Sequence, residues 1–109
     1  MAVELPAPIA AYFTADKAGD ANAISRQFTE GATVRDEGHT YSGREAIRQW
    51  KTMSSTKYNY IAEPIAIADE AGLTVVTARL AGDFPGSPLD LRYRFALEGA
   101  HIAGLEIAA

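Results

Sequence analysis

The stretch ATVRDEGHTYSGREAIRQW, residues 32–50, predicts a short strand, a tight turn at Glu37-Gly38, a second short strand and then a helix. An acid, an imidazole and a phenol fall within six residues of one another in it, at Asp36, His39 and Tyr41. A chain that turns back on itself here brings the three side chains close together. We therefore expect this turn to carry a functional site.

The helix that follows is predicted from residue 43 to about residue 54. Ser42 and Glu45 have the spacing of a capping box, in which the hydroxyl and the carboxylate each accept a hydrogen bond from a backbone amide of the first turn. Apolar residues then recur at three-residue steps, at Ile47, Trp50 and Met53. An apolar stripe of this kind packs against another part of the protein, and we expect it to form one wall of a cavity.

Composition restricts the class of protein. The 109 residues are 48% hydrophobic and 22% charged, which is typical of one globular domain, here residues 1–109. With a net charge of −4 and ten scattered Lys and Arg residues, nucleic acid is not expected as a partner. The absence of cysteine excludes disulfides and thiolate metal sites. Because no apolar run is long enough for a membrane span and no leader is evident, a cytoplasmic location without membrane contact is expected by default.

The remaining segments predict helices first and strands afterwards. Gly19 is expected to end a first helix and Asp20 to cap a second. The helices are predicted over residues 9–18 and 21–27, and the strands over 32–37, 39–41, 58–69, 73–83, 89–97 and 100–108. Pro64 indicates an edge strand or a bulge. This order predicts an α+β fold with an antiparallel meander covered on one face, and a strongly twisted sheet of that kind leaves a cone-shaped interior suited to a small ligand.

Three phrases of the sequence carry a family resemblance: AGD at 18–20, FTEGATVRD at 28–36 and YSGREAI at 41–47. Together with the order of elements, they resemble the NTF2-like superfamily, especially its SnoaL-like members, over nearly the whole chain. The resemblance implies the cystatin-like cone fold, with three N-terminal helices on a strongly curved antiparallel sheet. The resemblance does not define one function, because the superfamily includes isomerases, cyclases, dehydratases, epoxide hydrolases and proteins with no known activity.

Within that superfamily, the sequence resembles the ketosteroid isomerases in further detail. Tyr12, eight residues before Asp20, stands where they carry a tyrosine on the first helix, and Asp36 stands where they carry the general base. Their second oxyanion donor is an acid on a late strand, and Leu91 occupies that place here. Asp90 is expected on the opposite face, and only a one-residue bulge would turn it inward.

These observations give each candidate a functional role and an alternative. Asp36 is expected to move a proton, His39 to assist it, and Tyr12 to donate a hydrogen bond to oxyanion charge. The alternatives are a solvated Asp36 paired with Arg35 or Arg44, a histidine on the rim, and a tyrosine of the core.

Aromatic and apolar residues are expected to form the ligand-binding wall. The predicted contacts are Phe28, Tyr41, Trp50, Met53, Tyr60 and Tyr93. Trp50 and Met53 are interpreted as core and contact residues at once. Tyr41, Tyr58 and Tyr60 are equally explained as good strand formers.

Arg92 and Arg94 lie on the face opposite the apolar residues of their strand. A salt-bridged homodimer interface on the outer sheet face is the first interpretation, a solvated face the second and an anion site the third. No metal or other cofactor is expected, because the two histidines are distant in sequence and neither a nucleophile elbow nor a phosphate loop is present.

Three hypotheses remain open at this level. The first is a cofactor-independent isomerase, cyclase or lyase acting by proton transfer on a small, largely apolar carbonyl, epoxide or polyketide-like molecule. The second is a module that binds an apolar ligand without chemistry. The third is a dimerising scaffold whose interior is filled by its own side chains.

Overall fold

A computed structural model describes residues 3–57 and 59–109 of the chain, which form three helices and six strands. The helices are α1 (Ala7–Ala18), α2 (Ala21–Arg26) and α3 (Arg44–Lys57). The strands are β1 (Phe28–Asp36), β2 (His39–Ser42), β3 (Tyr60–Glu70), β4 (Leu73–Gly82), β5 (Leu89–Glu98) and β6 (His101–Ala108). The predicted α+β class with N-terminal helices is confirmed.

The connection between α1 and α2 follows the predicted chemistry. Gly19 ends α1 in the left-handed conformation, with φ of 70°, and its amide donates to the carbonyl of Asp16 over 3.1 Å. Asp20 then caps α2, since its Oδ1 accepts a 3.0 Å hydrogen bond from the amide of Ala23. Both boundaries are therefore set by local side-chain and backbone bonds.

The six strands of the described chain form one sheet in the order β2-β1-β6-β5-β4-β3. Strands β3 to β6 make the predicted antiparallel meander, but β1 and β6 pair in parallel. The sheet is thus mixed rather than purely antiparallel, because the meander brings β6 back beside β1 running in the same direction.

Strand β3 lies at the edge of the sheet, and its register with β4 shifts between Pro64 and Ala66. Proline lacks the amide hydrogen that a central strand needs, which explains both features. The predicted edge position and bulge are both confirmed. The predicted first residue of this strand, Tyr58, lies outside the described residues.

Strand β1 begins at Phe28, four residues earlier than the predicted start at Ala32. Phe28 directly follows the predicted second helix, and in the structure it pairs with Ile102 of β6 and is fully buried. Pairing with a distant strand decided this boundary, and that partner cannot be seen in a local pattern.

Helix α3 starts one residue later than predicted, and a different residue occupies its N-cap position. The carbonyl of Gly43 accepts the first helical hydrogen bond, from Ile47, so Gly43 occupies the N-cap position. The carboxylate of Glu45 points along the helix and binds Arg48 and Gln49 instead of reaching back towards Ser42. The predicted capping box between Ser42 and Glu45 was therefore wrong.

The apolar stripe on α3 also differs from the predicted one. Ile47 and Trp50 are buried, but Met53 is 70% exposed. A period of 3.6 residues places residues 47, 50, 51 and 54 on one face and rotates residue 53 away from it. Lys51, which is only 3% exposed, takes the place expected for Met53.

The core lies between the helices and one face of the sheet. Its largest fully buried side chains come from α1, α2, α3 and the central strands: Ile9, Tyr12, Ile24, Phe28, Val34, Ile47, Val76, Phe95 and Ile102. The four rings nearest Tyr12 meet it mostly edge to face, at centroid distances of 5.1 to 6.2 Å. This packing fixes α1 against the sheet and so fixes one end of the interior.

Candidate functional site

A cavity of about 570 Å³ opens between α3, the β1–β2 turn and the inner face of β3 to β6. Its size falls in the range of pockets that hold small organic ligands. Aromatic and aliphatic side chains form most of the wall, with Phe84 and Pro85 of the β4–β5 loop at one side. The acidic and basic side chains of the wall come from two places, the β1–β2 turn and the middle of α3.

Asp36 lines this cavity from the last position of β1. Alternation along the strand places it on the same inward face as the buried Val34. The indole Nε1 of Trp50 donates a 3.1 Å hydrogen bond to its Oδ2. The alternative partners are engaged elsewhere, because Arg35 faces Glu106 at 3.8 Å and Arg44 donates to the carbonyl of Phe28 over 2.8 Å.

The surroundings of Asp36 change its acidity. Burial raises the pKa of its carboxyl, and the negative charge of Glu37 adds to this effect. The hydrogen bond from Trp50 and the positive charge of Lys51 lower it, but the net result is a pKa above the ordinary value for aspartate. Asp36 is thus a stronger base than a solvated aspartate once it is ionised.

His39 and Tyr41 follow on β2 and also line the cavity. Antiparallel pairing sets His39 directly opposite Asp36 and Tyr41 opposite Val34, so all four share one face. His39 is exposed at the mouth, and no hydrogen bond joins its ring to Asp36 in the described part of the chain. Its ring centroid lies 6.5 Å from that of Tyr41.

The predicted aromatic wall is largely present. Trp50, Tyr60 and Tyr93 line the cavity, and the exposed Met53 lies at its edge. Burial raises the pKa of the Tyr93 hydroxyl well above its ordinary value, so this group stays protonated and able to donate. Leu91, which the resemblance to ketosteroid isomerases places at the site, lines the wall as well. The wall also contains apolar residues that the sequence patterns had not assigned to the site: Leu80, Leu89 and Ile107.

Two predicted site residues do not lie on this wall. Tyr12 and Phe28 are fully buried in the core, and Tyr12 packs behind Tyr93 with ring centroids 6.2 Å apart. The Tyr12 hydroxyl has no hydrogen-bond partner among the described residues. The prediction that Phe28 contacts a ligand does not fit its position, because no part of its side chain is exposed.

Lys51 is the functional candidate that sequence reasoning missed. Its ammonium forms a 2.6 Å ion pair with Oδ1 of Asp16 on α1, and both side chains are only 4% exposed. It also donates a 2.9 Å hydrogen bond to the hydroxyl of Tyr60, which in turn donates to Asp16 over 3.2 Å. The spacing of residues along the two helices could have revealed this pair. Lys51 stands four residues after Ile47, and Asp16 stands four after Tyr12, so each charged residue lies on the same helix face as an apolar one.

Asp16 and Tyr60 hold the ammonium group of Lys51 at the cavity wall. The Lys51 Nζ lies 4.8 Å from the centre of the Trp50 ring and 5.6 Å from that of Tyr60. Burial alone would lower the pKa of this ammonium, but the charge of Asp16 and the bonds to Asp16 and Tyr60 raise it above the ordinary value. Lys51 is therefore charged at neutral pH.

Asp90 lies outside the cavity. It pairs with Arg79 on the outer face of the sheet, with 3.0 Å between Nε and Oδ1, while Leu91 lines the cavity. The pairing of β4 with β5 runs without a shift from Leu80–Leu89 to Thr74–Phe95, so no bulge turns Asp90 inward.

Within residues 3–57 and 59–109, no group of three or more His, Asp or Glu side chains is placed to hold a metal ion. None of the described helices is both long enough and apolar enough to cross a bilayer.

Known proteins with this architecture were found by sequence and by structure. The family model of the SnoaL-like domain matches residues 9–103. A crystal structure from Sinorhizobium meliloti, named a "putative polyketide cyclase", is 38% identical, covers 95% of both chains and superposes with a TM-score of 0.90. No curated protein matches the sequence.

Two more distant structures share the fold. One is a hypothetical protein with a ketosteroid isomerase-like fold from Catenulispora acidiphila, solved with trimethylamine; it is 20% identical, with a TM-score of 0.84 over 97% of this chain and 87% of its own. The other, a "putative polyketide cyclase" from Pseudomonas putida, is 18% identical, with a TM-score of 0.79 over 97% of this chain and 92% of its own. The family model and the S. meliloti relative agree, and the chain belongs to the family of SnoaL-like domains.

Proposed function

We propose that this protein binds a small, largely apolar carbonyl compound and catalyses a cofactor-independent proton transfer on it, as an isomerase, cyclase or lyase. The observation that carries the proposal is the position of Asp36. Its carboxylate faces a cavity of about 570 Å³, is fixed by the indole of Trp50, and is not neutralised by either arginine near it in sequence.

The environment of Asp36 suits a general base. A carboxylate in a poorly solvated site accepts a proton from carbon more readily than one in water, because burial disfavours its charge. The bond from Trp50 holds the carboxylate in one orientation, which reduces the entropy lost in reaching the transition state.

Other groups on the wall take supporting roles in this proposal. Tyr93 presents a hydroxyl that stays protonated, and so replaces Tyr12 as the neutral hydrogen-bond donor to the substrate. His39 lies opposite Asp36 at the mouth of the cavity, and in this proposal it passes the proton between Asp36 and solvent. The name of the S. meliloti relative supports a polyketide-like ketone as the substrate class.

The test is turnover by the variant Asp36→Asn across a panel of bicyclic ketones, β-diketones and epoxides. Asn keeps the size of the side chain but cannot take the proton, so we expect a loss of about 10²-fold or more in kcat/KM. The matched control is Asp69→Asn, the same change at an exposed position of β3, which should keep full activity. Equal activity of Asp36→Asn and the wild type would refute the role of Asp36.

A second candidate function is binding without chemistry. It is favoured by Leu91, which occupies the place where the resemblance to ketosteroid isomerases would require an acid, with Asp90 bound to Arg79 outside the cavity. Native mass spectrometry of protein purified from cells separates the two. A retained ligand that is released unchanged, with no conversion across the panel, supports the binding module.

The proposed assembly is a homodimer through the outer sheet face. Arg92 and Arg94 lie on that face, where they pair with Glu70 at 2.6 Å and Glu106 at 3.8 Å within the chain. The exposed Ile61 supplies apolar surface on the same face. Light scattering should give twice the mass of the chain, and a monomer at micromolar concentration would contradict this assembly.

A further inference from the structure

The proton-transfer proposal leaves Lys51 without a role, although this residue lines the cavity. An ammonium group has three N–H donors. Two of them are used, by Asp16 at 2.6 Å and by the Tyr60 hydroxyl at 2.9 Å. The third has no hydrogen-bond acceptor among the described residues, and Lys51 is one of the residues that line the cavity.

Lys51 is also held rigidly. The ion pair with Asp16, the bond to Tyr60 and the contact with the Trp50 ring restrain the ammonium from three sides. A charge that is already fixed in a poorly solvated site stabilises developing charge without reorganising during the reaction. A surface lysine does not have this property, because its long side chain is flexible and strongly hydrated.

We propose that Lys51 donates its third N–H to the carbonyl oxygen of the substrate and stabilises the enolate that forms when Asp36 removes the neighbouring proton. In this step the C–H bond breaks and its electron pair forms the C=C bond. The carbonyl π pair moves to oxygen, and the proton forms an O–H bond with Asp36. Negative charge therefore leaves Asp36 and appears next to Lys51.

The charges on the wall also define the substrate class. Lys51 is already balanced by Asp16, and Asp36 and Glu37 add two carboxylates to the lining. An anionic substrate would therefore be repelled before reaction. The favoured substrate is a neutral, enolisable ketone or ester with an apolar body. This inference rests on the proposed role of Asp36 but is tested separately from it.

The test uses 2-naphthol, whose anion resembles an enolate, bound to the variant Asp36→Asn. The asparagine side chain is uncharged, as the Asp36 carboxyl is after it has taken the proton. Ionisation of the bound naphthol is read from its absorbance, and binding from the fluorescence of Trp50, the only tryptophan in the chain. We compare it with the same variant carrying Asp16→Asn and Lys51→Met, which removes both members of the ion pair together.

We expect the ionisation constant of bound naphthol to be at least about tenfold larger when Lys51 and Asp16 are present, because a charged donor favours the anion. The matched control is Lys17→Met in the Asp36→Asn background, which removes an exposed lysine of α1 and should keep the effect. Equal ionisation with and without the Lys51–Asp16 pair would overturn the proposal, and so would failure of Asp36→Asn to bind naphthol.

A crystal structure of Asp36→Asn with 2-naphthol tests the same point with the ion pair intact. The naphthol oxygen should lie within about 3.2 Å of the Lys51 Nζ. An oxygen directed to the cavity mouth would overturn the proposal. Neither measurement depends on turnover, so a base other than Asp36 would refute the proposed function while leaving these results interpretable.

Discussion

Trp50 on α3 donates a hydrogen bond of 3.1 Å to Asp36 at the end of β1, and this bond links the helix that covers the cavity to the strand that supplies its acid. It has two opposing consequences for Asp36. It holds the carboxylate in place, and it lowers a pKa that burial raises. The indole therefore tunes the proposed base as well as orienting it.

The substitution Trp50→Phe should shift the pH dependence of activity. Removing the indole donor removes a contribution that lowers the pKa of Asp36, so this pKa should rise further. The acid limb of kcat/KM is then expected at higher pH than in the wild type, with a loss of stability of about 1–3 kcal/mol. An acid limb that stays in place would show that the bond to Asp36 does not affect the essential base.

In the wild type, activity should increase with pH through the pKa of Asp36. The base acts only when ionised, and its pKa lies above the ordinary value for aspartate. The acid limb of the pH–rate profile should therefore also lie above that value. A limb at the ordinary aspartate value would place the essential base in a solvated position.

Asp36→Asn should make the fold more stable at neutral pH. A carboxyl whose pKa is raised in the folded state destabilises that state when it is ionised, and this penalty grows as pH rises from the unfolded towards the folded pKa. Urea unfolding should show the variant more stable than the wild type at pH 7, with the difference shrinking in acid. A variant less stable at pH 7 would indicate that Asp36 serves structure instead.

Lys51→Met should destabilise the protein strongly. The change leaves Asp16 charged and buried without its partner, at a cost of about 3–5 kcal/mol. The double variant Asp16→Asn with Lys51→Met should recover most of this loss, because no unpaired charge remains. If urea denaturation gives the same loss for both variants, the ion pair is not the source of the stability.

Gly82→Ala should disturb the cavity through Tyr60. A Cβ at this position would collide with the carbonyl oxygen of Asn59 and lie 2.7 Å from the Cα of Tyr60. We expect a loss of about 1–3 kcal/mol in stability and weaker ligand binding. Gly31→Ala on β1 is the control, since a Cβ there meets nothing within 4 Å. Equal thermal stability of the two variants would contradict this packing.

Most of the architecture could be predicted from the sequence, because local chemistry sets it. Gly19 and Asp20 mark a helix boundary through their own bonds, and Pro64 marks an edge strand through its missing amide hydrogen. The parallel pairing of β1 with β6 depends on the return of the whole meander. No local pattern encodes it, and the same pairing extends β1 back to Phe28.

The lining of the cavity was predictable where alternation along strands decides it. Asp36, His39 and Tyr41 share a face because of a two-residue period, and all three line the cavity. On α3 the three-residue spacing missed Lys51, because the true period places Lys51 on the inner face and leaves Met53 exposed at the edge of the cavity. Lys51 is held as a buried cation at the cavity wall by Asp16, a partner 35 positions away in the sequence.

The most direct test of proton transfer by Asp36 is deuterium exchange into 2-tetralone, a bicyclic ketone, followed by NMR in D₂O. The wild type and Asp69→Asn should exchange the hydrogens next to the carbonyl well above the uncatalysed rate, and Asp36→Asn should be slower by about 10²-fold or more. Exchange by Asp36→Asn at the wild-type rate would contradict the assignment of Asp36 as the base.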